Sequence, residues 1–275
     1  MGCGIVQLML INSPLVKSDK RLNAAFEAAD RGREILLKHF GNLSRVSEKL
    51  RAGLVSEADV ESEKAIAAVL KKHFPDSKFM GEESGLDQKP GADDLLWIVD
   101  PLDGTTNYVH EFPIFCISIA LKIGKTLEVG VVDVPMLSIR YFGVRGKGAF
   151  RNDTQIHISQ RQDLRDSLLA TGFNVHASDD LRAQVDIFGD LIEKSRGIRR
   201  AGAAAYDLCL VAQGSFDGFW EKNLSPWDTA AGTLLVRESG GLVTNYEGHP
   251  YDPGMDDIVA ASPSIHPEIM KTIQS

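Results

Sequence analysis

In the stretch LLWIVDPLDGTTNYVH, residues 95–110, an apolar run ends in two acids, Asp100 and Asp103, followed by a glycine and two hydroxyls. Pro101 has no N–H and fixes its own φ, so the sequence predicts a turn that brings Asp103 back toward Asp100. Two carboxylates held close repel each other and cannot both stay ionised cheaply. Three outcomes are open: the pair shares a proton, the acids turn outward to water, or a cation sits between them. A hard cation such as Mg²⁺ takes oxygen ligands, usually one or two carboxylates plus a substrate phosphate, and the Leu102 carbonyl offers another oxygen. Gly104 permits an unusual backbone angle, and the N–H groups of Gly104, Thr105 and Thr106 could form an anion-binding nest. A plain turn competes with this reading, because Asp-Gly after a strand is ordinary turn chemistry.

Other acids have two readings each. Ser56-x-x-Asp59 resembles a helix capping box with Asp in place of Glu or Gln. Ser225-Pro226-Trp227-Asp228 reads as N-cap, proline at the first helical position, then an acid. At Asp228 both uses are compatible, one oxygen on a backbone N–H and one on a ligand. Glu82 and Glu83 follow a short strand in SKFMGEES, and residue type alone does not choose between them. Glu221 ends the aromatic-rich FDGFWE and by itself reads as a surface acid. Gly202 by itself reads as a turn before a helix. The seven histidines show no ligand spacing such as HExxH, and no Rossmann fingerprint occurs. IGKT at residues 123–126 lacks the first glycine of a P-loop, whose place Ile119 holds.

The elements that must position these groups follow from periodicity. Apolar spacing predicts helices over residues 19–40, stopped by Gly41, and 57–73, closed by Pro75. Residues 95–99 are a continuous apolar run, a strand buried on both faces. Further strands are expected at 115–123, 127–134, 138–144, 148–151, 168–171, 216–221 and 257–261, with helices near 180–195, 204–212 and 227–239. Strands cluster first and alternate with helices later, which predicts a layered α+β or α/β chain with mixed sheets. A soft seam near 152–166 divides it, with no linker, so residues 1–275 read as one catalytic unit: a flexible start over 1–20, an N-terminal half over 21–155 and a C-terminal half over 156–275.

The chain has 275 residues, 43% hydrophobic and 25% charged, enough for a substantial core. No apolar run reaches the ~18 residues of a membrane span. The start, MGCGIVQLMLINS, has no basic segment or clear cleavage site, and Val6 breaks the myristoylation pattern after Gly2. Cys3, Cys116 and Cys209 are scattered without a CxxC, which points to a reducing cytosol; Cys209 sits on an apolar helix as core. A net charge of −8 argues against a broad nucleic-acid footprint, and it means an anionic substrate must be attracted by something other than the protein's own charge.

WIVDPLDGTTNYVHEFPIFCISIAL resembles the signature of the inositol monophosphatase family, a branch of the Mg²⁺-dependent, Li⁺-sensitive sugar-phosphate phosphatases. WDTAAGTLLVRESGG, residues 227–241, resembles a second family signature and GEES, residues 81–84, a third. They stand in family order, and the likeness runs from about Leu22 onward. The resemblance implies a layered αβαβα sandwich and a Mg²⁺-dependent hydrolysis of inositol 1-phosphate to myo-inositol and phosphate by an activated water. It implies metal ligands at Glu82, Asp100, Asp103 and Asp228 with the Leu102 carbonyl, holding roughly two or three Mg²⁺ ions. Thr105, supported by Asp59, would orient the water; with Glu82 and Asp103 these form the catalytic set, and Glu83 would support Glu82. Asp59 lies in LVSEAD, where Ser56 replaces the usual Thr and Gly53 an Asp or Asn. Asp103, Gly104, Thr105, Gly202, Ala204, Glu221 and Asp228 would contact substrate. The expected partners are a small phosphorylated polyol and a second copy in a homodimer, with no membrane or direct nucleic acid, in the cytoplasm. Fructose-1,6-bisphosphatase, histidinol-phosphatase or nucleotide phosphatase activity are the competing enzymes, Arg199 and Arg200 being able to supply a second phosphate site. A relative acting in transcription or ribosome assembly is the competing class.

Overall fold

The computed structural model describes residues 11, 13–49, 53–173 and 181–275. In chain order its elements are helices α1 (Pro14–Ser18) and α2 (Lys20–His39), strands β1 (Val46–Lys49) and β2 (Gly53–Ser56), helix α3 (Glu57–His73), strands β3 (Lys78–Gly81), β4 (Gly85–Leu86) and β5 (Leu95–Asp103), and helix α4 (Thr105–Val109). Strands β6 (Cys116–Ile123), β7 (Thr126–Val134), β8 (Ile139–Val144), β9 (Ala149–Arg151), β10 (Thr154–Ile156) and β11 (Leu168–Thr171) follow. The chain continues through α5 (Leu181–Lys194), β12 (Gly197–Arg199), α6 (Ala204–Ala212), β13 (Gly218–Lys222), α7 (Pro226–Glu238), β14 (Leu242–Thr244), β15 (Asp257–Ala261) and α8 (His266–Ile273).

Two large sheets, three helical layers and a two-stranded sheet, β1-β2, make up the described residues. An eight-stranded sheet runs β10-β9-β8-β7-β6-β5-β3-β4, and a five-stranded sheet runs β12-β11-β13-β15-β14. Helices α2 and α3 cover the outer face of the large sheet, α6 and α7 fill the space between the sheets, and α5 and α8 cover the far face of the small sheet. This is the layered αβαβα arrangement of the expected class. Small residues on α2 let α3 and the sheet close in; a Cβ on Gly32 would stand 2.8 Å from the Ile117 side chain and 2.9 Å from that of Ile66. Asp19 caps α2 by accepting from the N–H of Arg21 at 2.9 Å.

The expectation at Pro101 needs correction. The chain does not turn there: β5 runs on from the apolar stretch to Asp103. Asp100 pairs with Ser118 and Asp103 with Cys116, so three steps along β5 match two along β6. One extra residue is thus inserted, a β-bulge. Side chains alternate across a strand, so residues three apart would normally point to opposite faces. The bulge cancels that alternation. Leu96 and Ile98 belong to the core between the sheets, Trp97, Val99 and Leu102 to the core under α2 and α3. Asp103, sharing the face of its partner Cys116, and Asp100, sharing that of Ser118, therefore both face the inter-sheet side.

The segment expected to be a flexible start contains a short helix, α1, whose Val16 is buried. Residues 1–10 and 12, with Gly2 and Cys3, and the start of the helix expected at 180 lie outside the described residues.

Candidate active site

Five segments converge where β5 ends. β3 lies parallel to β5 with Gly81 opposite Val99, and the N–H of Glu82 donates to the Val99 carbonyl at 3.2 Å. β3 therefore ends where the bulged last stretch of β5 begins, which sets Glu82 next to that stretch. The bulge aims Asp100 and Asp103 inward, the first turn of α7 brings Asp228, the start of α3 brings Asp59, and α4 begins with Thr105. A cavity of about 350 Å³ opens here, lined among others by Glu82, Asp103, Thr105, Glu221 and Asp228. A larger cavity, about 680 Å³, opens between Lys125, Arg237, Tyr251 and Asp252, but it offers one carboxylate rather than a cluster.

The electrostatics are those of carboxylates crowded together and withdrawn from water. Burial first, then the charges of Glu82, Asp103 and Asp228, push Asp100 well above the usual carboxylate range. Burial raises Asp103 to about 7, against hydrogen bonds from the Ala205 N–H, the Cys116 thiol and the Ala204 N–H. Burial and then Asp103 raise Asp228 to about 8, against the Ser225 N–H. Among the described lining residues Arg200 alone is cationic, and it is exposed. Asp59, Glu82 and Glu83 each place one carboxylate oxygen within 4.8 Å of the others, so Glu83 joins the cluster rather than only standing behind Glu82. A set of buried, mutually repelling carboxylates with only oxygen donors fits a hard divalent cation, which reverses the local sign and suits that donor chemistry.

Both readings of Asp59 hold, on different oxygens. Its Oδ2 accepts from the Ser56 N–H at 2.8 Å and the Ser56 hydroxyl at 2.6 Å, completing the capping box. Its Oδ1 accepts from the Thr105 hydroxyl at 3.0 Å, and that hydroxyl also lies 3.1 Å from the Leu102 carbonyl. Ser56 thus does the work of the usual Thr. At Asp228 the Ser225 N–H donates to Oδ2 at 2.7 Å, again inside a capping box. Gly104 has φ +94° and a Cβ there would stand 3.1 Å from the Ile114 carbonyl oxygen, so both backbone and space call for glycine.

Of the residues expected at the substrate, Asp103, Gly104, Thr105 and Asp228 line the same cavity as the other three. Gly202, Ala204 and Glu221 line the cavity. Ala204 begins α6, and its N–H points to Asp103. The Glu221 carboxylate packs on Gly172, where a Cβ would lie 2.2 Å from either oxygen. Burial, then Asp207 and Asp228, raise Glu221 well above its usual range, with Arg200 opposing.

Several residues escaped the sequence reading. Asp207 is 1% exposed, lines the cavity, and has an Oδ1 without a hydrogen-bond partner; its signal was an acid inside the apolar helix AAYDLCLVA. Asn107 ties α4 to the 201–202 loop, its Nδ2 donating to the carbonyls of Ile114 at 2.7 Å and Ala201 at 2.8 Å. The Cys116 thiol donates to Asp103 Oδ2 at 3.4 Å, on the same oxygen that accepts from the Ala205 N–H at 2.8 Å. No local signal marks Cys116, because the contact is made by strand register.

Comparison with known proteins agrees with this architecture. The family model described as the inositol monophosphatase family matches residues 17–275. A putative Nus factor SuhB of Neisseria meningitidis is 42% identical over 256 residues, covering 92% of this chain and 98% of that protein. A fructose-1,6-bisphosphatase/inositol-1-monophosphatase of Aquifex aeolicus is 37% identical over 254 residues, covering 92% and 94%. Among solved structures, the extragenic suppressor protein suhB of Bartonella henselae superposes with a TM-score of 0.87 at 37% identity, covering 92% of this chain and 98% of that one.

Proposed function

The chain belongs to the inositol monophosphatase family, and from that premise we propose that it is a Mg²⁺-dependent phosphatase that hydrolyses inositol 1-phosphate to myo-inositol and phosphate. The observation that carries the proposal is the bulge in β5, which turns Asp100 and Asp103 to one face of the sheet, in charge contact with Glu82 and Asp228 and at the cavity that Glu221 also lines.

Glu82, Asp100, Asp103, Asp228 and the Leu102 carbonyl would hold the cations. When bound, divalent ions supply Lewis-acid activation of water and neutralise charge on the phosphate and the leaving oxygen. The Thr105 hydroxyl has one hydrogen. Donated to Asp59 Oδ1, it leaves the hydroxyl lone pairs to accept a proton of the attacking water and aim the water's own lone pair at phosphorus. The N–H groups of Gly104 and Thr105 would hold phosphate oxygens. Asp228 keeps one oxygen on the Ser225 N–H, and the other is available to a water that protonates the leaving oxygen. Residues 21–155 would supply the attacking side and residues 156–275 the Asp228 and sugar side of one catalytic unit. A homodimer, a cytoplasmic setting and inhibition by Li⁺ belong to the same proposal; among the described residues no helix is long and apolar enough to cross a membrane.

Glu221 reports on the substrate. A carboxylate accepting one or two hydroxyl hydrogen bonds contributes roughly 1.5–3 kcal/mol. Glu221→Gln is therefore expected to lower kcat/KM for inositol 1-phosphate about tenfold to hundredfold, with little change for p-nitrophenyl phosphate, which lacks those hydroxyls. Equal losses on both substrates in a phosphate-release assay would place Glu221 among the groups acting on the phosphate.

Two further readings have specific support. Arg200 at the cavity wall and the name of the Aquifex relative favour a bisphosphate substrate, which fructose 1,6-bisphosphate in the same assay tests. The Nus-factor name of the Neisseria relative favours a role in transcription, against the expectation of no nucleic-acid partner; such a role would survive loss of the carboxylate cluster, and phosphate hydrolysis would not.

A further inference from the structure

Glu63 has no part in the chemistry above, yet it is buried at 4% exposure on α3, one helical turn beyond Asp59. Its Oε2 accepts from the N–H of Glu83 at 2.8 Å. The same carboxylate lies against Gly81, where a Cβ would stand 2.2 Å from Oε2. Glu63 thus grips the chain on both sides of Glu82, while the Glu82 N–H is held by the Val99 carbonyl at 3.2 Å. The face of α3 that carries it holds two other parts of the site. Ser62 Oγ donates to the Pro101 carbonyl at 3.2 Å, inside the bulge, and Asp59 receives Thr105. One helix therefore touches three of the segments that build the cavity: the chain around Glu82, the bulge of β5 and the start of α4.

We propose that Glu63 is a positioning residue that fixes the backbone of residues 81–83 so that Glu82 meets Asp100 and Asp103 in a geometry ready for a divalent cation. The inference rests on the metal reading given under Proposed function. What positions the 81–83 backbone is the buried acceptor oxygen of Glu63, set against the Glu83 N–H on one side and Gly81 on the other. Partners that orient metal ligands typically change affinity about 10- to 100-fold when removed.

The test is the Mg²⁺ dissociation constant of the full-length protein, measured by calorimetry and by the Mg²⁺-induced rise in Tm, beside the Mg²⁺ concentration that half-activates phosphate release. Glu63→Ala is expected to weaken Mg²⁺ binding about 10-fold or more, with kcat at saturating Mg²⁺ within about threefold of the parent. Glu63→Gln keeps an acceptor for the Glu83 N–H and is expected to bind Mg²⁺ within about threefold of the parent. Gly81→Ala pushes on the same carboxylate from the other side and is expected to reproduce the Glu63→Ala shift; it decides the matter if Glu63→Ala does not fold. A lowered Tm with unchanged Mg²⁺ affinity in Glu63→Ala, or in Gly81→Ala when that variant stands alone, would make Glu63 structural and overturn the proposal. So would a Glu63→Gln as weak as Glu63→Ala, since charge rather than position would then govern. A parent protein with no Mg²⁺ response at all would overturn the metal reading itself.

Discussion

Asp103→Asn is expected to lower kcat for phosphate release by about 10²–10³-fold while leaving the protein without Mg²⁺ at least as stable as the parent. Asp103 Oδ2 accepts from Ala205 and Cys116. The Asn carbonyl oxygen can take both bonds, so the substitution keeps the local structure. What it removes is a charge that the site needs and that the metal-free fold resists. Asp103 is raised from 3.8 to about 7 on folding, chiefly by burial. The folded chain therefore holds that proton more tightly than the unfolded chain does. The stability this contributes is complete below the unfolded value near 4 and is lost as pH rises through about 7. Asp228, raised to about 8, behaves in the same sense. Thermal unfolding in chelator should show Asp103→Asn level with the parent at pH 4 and roughly 2–5 °C above it at pH 8. With Mg²⁺ the order should reverse, because the parent gains stability by binding and the variant gains less. A variant that melts lower in chelator yet keeps full turnover would make Asp103 a structural strand-end residue.

Thr105→Val should produce a comparable loss of activity with the opposite effect on stability. Valine keeps the shape and deletes the hydroxyl. If that hydroxyl orients the attacking water, kcat falls about 10²-fold or more. Asp59, 0% exposed, then keeps its capping bonds from Ser56 but loses the donor on Oδ1. Leaving a buried acceptor unsatisfied costs about 1–3 kcal/mol, and Tm should fall by roughly 2–10 °C with or without Mg²⁺. Thr105→Ser retains the hydroxyl and should recover both properties. Full activity in a destabilised Thr105→Val would restrict the residue to holding α4 in place.

These two residues show where the sequence was legible. α3 and α7 carry clear helical signals, a capping serine at the start and, in α7, a proline after it, while α6 is a short run apolar nearly all round; the boundaries of all three fall within about a residue of the expected ones. β5 to β8 are long and rich in β-branched residues, so they were visible as strands. The short strands β4, β12 and β14 were not, since two or three residues show no period and their pairing is decided by neighbours distant in sequence. The bulge at Pro101 was read as a turn because proline signals a break in local pairing without saying whether the strand resumes. Register with β6, a long-range fact, decides it. The same limit hid Glu63 and Cys116. Nothing local marks them, and their meaning comes from touching Glu83 and Asp103 across the fold. Asp100 and Asp103 stood out by their spacing around Pro101, whereas Glu82, Asp228 and Glu221 each had a structural reading as good, and only the resemblance of their segments to a family pattern joined them into one set.

The most direct test of the central claim is phosphate release from inositol 1-phosphate by protein first stripped with chelator, as Mg²⁺ is raised from zero at fixed ionic strength. The account predicts no detectable release without Mg²⁺ and saturable release with it, lowered by about 10²–10³-fold at saturating Mg²⁺ in Asp103→Asn at equal protein. Turnover in the stripped protein that added Mg²⁺ does not increase would contradict it.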